Sequence, residues 1–406
     1  WGAAINLDGP SSDHVRGFFF ENALHWLHEY RFDGLRIDAT HALFDDSPRH
    51  FLAELQARVR ASLPGRRVLV IAEDSRNLAQ MVRSEDASGW GLDAVWADDF
   101  HHQLRRCLAG DADGYYRDYS GTLPDLVETI RDGWFYKGQR SVHHGRPRGT
   151  DPTGEPLRRY VVCLQNHDQI GNRACGERLH HQVAAAAWRA ASTLLLLVPE
   201  TPLLFMGQEW AASAPFLYFT DHHPPLGRLV TEGRRAEFKS FAAFSEPAAR
   251  ERIPDPQAEE TFTYSRLDWE ERTREPHAGS ERLCRELLAV RREQRPSSAE
   301  RHAVRMAALD AGSLALHLGP RPGVPGHLLL VVRLLGSGEV LSPSAALALP
   351  EDAVWEERLS TEDPRFATDA QPLRVRSEAG GITVSFARPG AVVLTCAGAS
   401  PTPRRK

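Results

Sequence analysis

Three carboxylic acids in this 406-residue sequence each follow a short apolar run. Asp38 ends the stretch Phe32 to Asp38, Glu73 follows Val68 to Ala72, and Asp168 follows the stretch Arg159 to Gln165. Runs of this kind predict strands, and a continuous apolar run such as Val68 to Ala72 predicts one covered on both faces. In a parallel barrel the C-terminal ends of the strands face the active site. A single acid there is as readily the N-cap of the next helix, but three acids at three strand ends make a pattern that capping does not account for. Arg36 sits two residues before Asp38, so period two puts both side chains on the same face, and both are expected to point inward. An inward guanidinium needs an anionic partner. A carboxylate beside such a cation, with a second carboxyl group to supply a proton, is the equipment for cleaving a glycoside: one acid attacks and the other protonates the leaving oxygen. A structural ion pair is the alternative reading of Arg36 and Asp38.

The elements that must hold these acids alternate between helical and strand periods, as a parallel sheet with crossover helices requires. A first helix is predicted with Ser11, Ser12 and Asp13 as N-cap candidates and with Val15, Phe18, Phe19, Trp26, Leu27 and Tyr30 on its apolar face. A second begins at Ser47 and Pro48, buries Phe51, Leu52, Leu55 and Val59, and stops at Pro64-Gly65. Further strands are predicted at 93–97, 159–165 and 202–206, giving five, with helices around 123–133 and 183–198. Phe135 to Glu155 reads as a long loop. After a helix over 281–293 the composition shifts at Arg295-Pro296-Ser297-Ser298. Short strands then follow at 313–318, 327–334, 373–375, 382–386 and 392–395, which predicts a small β sandwich.

Composition narrows the functional classes. With 49 basic and 54 acidic side chains the net charge is −5, and no basic stripe or polybasic patch is present to meet nucleic acid or a membrane surface. The apolar run Val183 to Val198 holds Arg189 and stops at Pro199, short of the roughly 20 residues that span a bilayer. Cys107, Cys163, Cys175, Cys284 and Cys396 are odd in number and never in a CxxC pair, so they read as buried thiols in a reducing, cytoplasmic setting. The chain opens on Trp1, with no signal-like segment before the first helix.

The strings Asp33-Gly34-Leu35-Arg36-Ile37-Asp38-Ala39, Ile71-Ala72-Glu73 and Asn166-His167-Asp168 resemble three signature regions of the α-amylase superfamily of glycoside hydrolases. Longer strings are similar to the maltooligosyltrehalose trehalohydrolase family within it. These are Trp1-Gly2-Ala3-Ala4-Ile5-Asn6, the stretch from Gln165 to Arg173, Phe205-Met206-Gly207-Gln208-Glu209-Trp210, and Tyr218-Phe219-Thr220-Asp221-His222. The resemblance implies a (β/α)8 TIM-type barrel of which residues 1–298 supply strands 4 to 8, so that the barrel is N-terminally incomplete. It also implies an all-β sandwich over 299–398 and a disordered tail over 399–406. It makes Asp38 the nucleophile, Glu73 the general acid/base and Asp168 the residue that stabilises the distorted sugar, with Arg36 and His167 binding that sugar. The implied reaction is retaining hydrolysis of the α-1,4 bond next to the terminal trehalose unit of maltooligosyltrehalose. Functional pairing with a maltooligosyltrehalose synthase follows from the same resemblance. A glycogen branching enzyme is the runner-up, and an inactive, truncated carbohydrate-binding fragment is a third reading.

Weaker candidates for substrate contact are His41, Gln169, Glu209, Trp210 and Asp221. Each has a plain structural alternative: a helix cap for His41, core packing for Trp210 and solvation for Asp221. Histidine pairs at 101–102, 143–144, 180–181 and 222–223 invite a metal reading, but adjacent side chains point apart, so no metal and no cofactor is expected. Gly336 and Gly338 read as turn glycines, with no following helix to make a phosphate loop.

Overall fold

A computed structural model describes residues 4–240, 242–351, 353–378 and 380–396. The start of the first quoted string, residues 1–3, and the tail over 399–406 lie outside the described residues. In chain order the principal elements are α1 (Ser12–His28), β1 (Gly34–Ile37), α2 (Phe51–Ser62), β2 (Leu69–Ala72), β3 (Ala94–Trp96), α3 (Asp99–Ala109), α4 (Leu123–Asp132), β4 (Tyr160–Cys163), α5 (His167–Gly171), α6 (Ala185–Leu197) and β5 (Thr201–Leu203). Next come α7 (Pro224–Glu237), α8 (Pro247–Glu251), α9 (Glu259–Tyr264) and α10 (His277–Gln294). Last are β6 (Val304–Ala308), β7 (Ser313–Leu318), β8 (His327–Arg333), β9 (Gly338–Pro343), β10 (Glu356–Ser360), β11 (Arg374–Glu378), β12 (Gly381–Phe386) and β13 (Gly390–Cys396). The chain divides into two compact units. One comprises the residues up to Phe100 with Glu128–Val162 and Pro199–Thr201, and the other His101–Val127, Cys163–Val198 and the residues from Pro202 onward.

The first unit is organised by the parallel sheet, whose order β1-β2-β3-β4-β5 follows the chain, as a barrel segment built of successive strand–helix crossovers must. Its register pairs Gly34 with Leu69 and Ile37 with Ala72. Gly34 has a local reason: a Cβ there would lie 2.6 Å from the Leu69 carbonyl oxygen. Helices α1 and α2 pack together through the stacked rings of Phe20 and Phe51, 4.9 Å apart. The buried stripe of α1 is Arg16, Phe20, Ala23 and Leu27, which corrects the expected face, because Phe18, Trp26 and Tyr30 are exposed. The reason is Arg16. Its buried guanidinium donates to Asp45 at 2.8 Å, to Glu54 at 2.8 Å and to the Leu7 carbonyl at 3.0 Å. A basic residue with its donors satisfied can therefore occupy the inner face that hydrophobic patterning reserves for apolar ones. Helix α2 buries the expected Phe51, Leu52, Leu55 and Val59 but starts at Phe51, with the His50 ring accepting from Leu52 N–H.

The long 135–155 stretch is an ordered loop. Asp99, fully buried, accepts from the backbone N–H of Phe135 and Tyr136, from Asn77 Nδ2 and from Arg148 Nη2, at 2.8, 3.1, 2.7 and 3.0 Å. One carboxylate thus pins the loop's start and its return.

In the second unit α6 is buried on nearly every side, which is why its sequence is apolar all round. Arg189 is the exception within it, and Nη2 meets Glu362 Oε1 at 2.7 Å. The other oxygen of Glu362 accepts from Arg388 at 2.6 Å and from Gln371 N–H at 2.9 Å. Two antiparallel sheets, β10-β13-β8-β7-β6 and β11-β12-β9, close over one core that includes Leu329, Val331, Val384, Phe386, Val392 and Leu394. The strands β6, β9 and β10 escaped the sequence reading, and all three are sheet edges with polar or exposed positions in place of an apolar run. Gly338, read as a turn glycine, instead opens strand β9.

The fold is therefore part of a TIM-type barrel followed by an antiparallel β domain. Among the described residues no helix is long and apolar enough to cross a membrane. Of the cysteines, Cys163 and Cys396 are buried, Cys107 and Cys284 half-buried, and Cys175 exposed, so the expectation of five buried thiols fails at Cys175.

Candidate active site

The parallel register decides what meets at the sheet's C-terminal edge. Because Ile37 pairs with Ala72, the next residues, Asp38 and Glu73, leave their strands side by side. Glu73 N–H donates to the Ile37 carbonyl at 2.9 Å, which carries the ladder one residue past β1. Arg36 lies between the two acids: Nη1 contacts Asp38 Oδ1 at 2.8 Å and Nη2 lies 3.8 Å from Glu73 Oε2. The guanidinium also stacks on the Trp96 ring of β3, with Cζ 4.2 Å from the centroid. One cation thus spans both acids. The Asp38 side chain is 76% exposed, against 18% for Glu73.

Glu73 is held by more than Arg36. Ala39 adopts a left-handed backbone (φ 45°), which turns its N–H onto Glu73 Oε2 at 2.6 Å. That conformation costs a non-glycine residue about 1–2 kcal/mol. Thr40 follows, fully buried, and its N–H donates to the Glu73 carbonyl at 3.0 Å. Oε2 is thus the oxygen of Glu73 that meets both the Ala39 N–H and the Arg36 guanidinium. His41 comes next in the short 3-10 turn Thr40–Ala42 and is exposed.

In the second unit, Asp168 lies in the first turn of α5, five residues beyond the end of β4. Asn166 caps that helix by accepting from Gln169 N–H at 2.8 Å. Asn172 Nδ2 donates to Asp168 Oδ1 at 2.5 Å and so sets the acid's orientation. His167 and Asp168 are exposed, and Gln169 accepts from Tyr115 Oη at 3.4 Å. The string from Asn166 to Asn172 is thus a self-contained unit of cap, acid and orienting amide.

The remaining candidates separate. Trp210 is only 3% exposed and packs against Trp269, with ring centroids 5.2 Å apart. Trp210 thus takes the core-packing alternative and not a substrate contact. Glu209 lines a small cavity with Gln208, Arg189, Trp188 and Cys284, a polar interior position in place of an open substrate contact. Burial, with Glu209 and Glu281 adding like charge, pushes the Cys284 thiol up to about 12. Asp221 lies exposed in a loop anchored by its neighbours Thr220 and His222. His180 and His181 both contact the Ala212 carbonyl, at 2.8 and 2.9 Å, and burial pushes His180 down to about 3.

The sequence reading missed Ala39, Thr40, Asp74, Trp96 and Asn172. The signal for Thr40 and Asp74 was available, since they follow Asp38 and Glu73 by two residues and one residue at neighbouring strand ends. Trp96 carried no such mark, because nothing in a three-residue strand says which cation its ring will underlie.

The fold and sequence are similar to those of glycoside hydrolases of the α-amylase superfamily. Within that class, its sequence is 44% identical over 364 residues to the malto-oligosyltrehalose trehalohydrolase of Arthrobacter ramosus, covering 86% of this chain and 61% of the relative. It is 46% identical over 299 residues to that of Deinococcus radiodurans, covering 72% and 47%. A crystal structure described as a putative α-amylase from Salmonella typhimurium matches with a TM-score of 0.79 and 33% identity, over 97% of this chain and 62% of that one. A 1,4-alpha-glucan branching enzyme from Mycolicibacterium paratuberculosis is more distant, at 28% identity over 228 residues. No family model matches. The chain spans about half to three-fifths of the length of these trehalohydrolase relatives.

Proposed function

We propose that this chain carries the reacting groups of a retaining glycoside hydrolase that cuts the α-1,4 bond next to the terminal trehalose of maltooligosyltrehalose, releasing trehalose and a maltooligosaccharide. The observation that carries the proposal is the single guanidinium of Arg36 set between Asp38 and Glu73. In this reading the exposed Asp38 carboxylate attacks the anomeric carbon while Arg36 fixes its orientation. Glu73, tethered through Oε2, protonates the leaving trehalose from Oε1 and then takes a proton from the water that opens the glycosyl intermediate. Asp168 is assigned the stabilisation of the distorted sugar, and His41, His167, Gln169 and Asp221 its binding. The protein would act in the cytoplasm on the product of a maltooligosyltrehalose synthase, and an uncharged glucan suits a chain of net charge −5 with no basic patch.

The test is incubation with maltooligosyltrehalose and with plain maltooligosaccharide. Free trehalose from the first supports the proposal. New α-1,6 branches in the second would favour a branching enzyme, and the absence of both products would refute each reading.

A further inference from the structure

Beyond Glu73 the two strand ends are joined by a polar cluster that touches no reacting position. Thr40 Oγ1 lies 2.7 Å from Asp74 Oδ2 and 2.9 Å from the Glu73 carbonyl oxygen. A hydroxyl has one proton to give, and the charged oxygen of Asp74 is the stronger acceptor. The Asp74 side chain is fully buried. Arg76 closes on it with Nη2 at 2.7 Å from Oδ2 and Nε at 3.0 Å from Oδ1, while its backbone N–H donates to Oδ1 at 2.8 Å. Arg76 Nη2 also donates to the Thr40 carbonyl at 3.2 Å. Together with the Thr40 N–H on the Glu73 carbonyl, these bonds form a closed ring through Thr40, Asp74 and Arg76 that ties the end of β1 to the end of β2.

This ring has a specific effect on the acid above it. Ala39 is held in a strained left-handed conformation, and relief of that strain would favour its leaving if the next residue were free. With Thr40 clamped at its N–H, hydroxyl and carbonyl, the Ala39 N–H stays aimed at Glu73 Oε2. Resting on the proposed role of Glu73, we infer that Thr40, with Asp74 and Arg76 behind it, is a positioning residue for the general acid/base: it fixes which oxygen of Glu73 is tethered and which is free to transfer the proton.

The experiment compares Thr40→Val, Thr40→Ser and Asp74→Asn in the full chain on two substrates. Maltooligosyltrehalose needs its leaving sugar protonated, whereas α-maltosyl fluoride leaves as fluoride without help from an acid. Misplacing a catalytic group by about 1 Å costs on the order of 100-fold. Because kcat/KM reports the glycosylation step alone, Thr40→Val is therefore expected to lose about 10- to 100-fold in kcat/KM on maltooligosyltrehalose and less than about threefold in kcat/KM on the fluoride. Thr40→Ser should restore most of the loss and Asp74→Asn should share it. Equal losses on both substrates, or none on either, would overturn the inference. Should Thr40→Val fail to fold, as circular dichroism would show, the same contrast read from Asp74→Asn decides. Should the wild type hydrolyse neither substrate, the reading of Glu73 fails on its own. Amide exchange at Ala39 then still tests the ring: roughly tenfold or more faster exchange in Thr40→Val supports it and unchanged exchange refutes it.

Discussion

Replacing Arg36 with Met should separate stability from catalysis, because the structure gives the guanidinium little to do for the first and much for the second. Its contact with Asp38 involves a side chain that is 76% exposed, so this pair contributes about 0–1 kcal/mol. Its approach to Glu73 is 3.8 Å between partly buried groups, worth about 4 kcal/mol of Coulomb energy at an effective dielectric constant of about 20, most of it offset by desolvation. Stacking on Trp96 adds about 0.5–2 kcal/mol, part of which a methionine would keep through contact with the ring. The net loss in unfolding free energy should therefore be about 1–2 kcal/mol. Removing one oriented donor from a reacting centre costs about 100- to 1,000-fold in kcat, roughly 3–4 kcal/mol. The assay is urea unfolding beside kcat/KM for trehalose release. Arg36→Lys should be nearly as impaired, since a point charge cannot span both acids as the planar fork does. Activity of Arg36→Met within tenfold of wild type would refute the reasoning. So would a stability loss above about 4 kcal/mol, which would make the activity loss a folding effect.

Two further outcomes follow from the second unit. Glu362→Gln leaves Arg189 and Arg388 with the more exposed Asp369 as their shared carboxylate, so it should cost about 3 kcal/mol, read as a fall in the denaturation midpoint. His317 donates from Nδ1 to the Leu347 carbonyl at 2.7 Å, which leaves Nε2 to accept from His327 Nδ1 at 3.0 Å, and burial pushes its pKa down to about 4. The native state thus favours the neutral ring, while the unfolded chain takes up a proton near pH 6.5. This contribution is complete above about pH 6.5, declines as the pH falls and is lost below about 4, for at most about 3 kcal/mol. Urea midpoints for wild type and His317→Asn across that window should converge towards pH 4, and parallel curves would contradict the assignment.

How much of this was legible in the sequence depended on where the information sits. The five parallel strands were readable as short, largely apolar segments between turn residues, although only β4 is buried along its whole length. The strands β6, β9 and β10 were not, because an edge strand need satisfy only one neighbour and tolerates Glu356, Glu357 and Arg358. The inner face of α1 was misread because Arg16 occupies a core position on the strength of partners 29 and 38 residues away, which no local pattern records. The acids themselves were readable by position. What holds them was only half so: Arg36 could be inferred from period two, whereas Ala39 acts through a backbone N–H that leaves no trace in its side-chain type. At Trp210 the sequence left two readings open, since an aromatic after a strand end looks alike whether it meets a sugar or another indole.

The central claim is that Asp38 forms a covalent glycosyl intermediate while Glu73 serves as the acid/base. Its most direct test is to treat the Glu73→Gln protein with α-maltotriosyl fluoride, whose leaving group needs no proton, and to map the adduct by peptide mass. The account predicts a maltotriosyl ester on the peptide that contains Asp38, lost on Asp38→Asn. A freely released product of inverted, β configuration, or an adduct on any other residue, would contradict it.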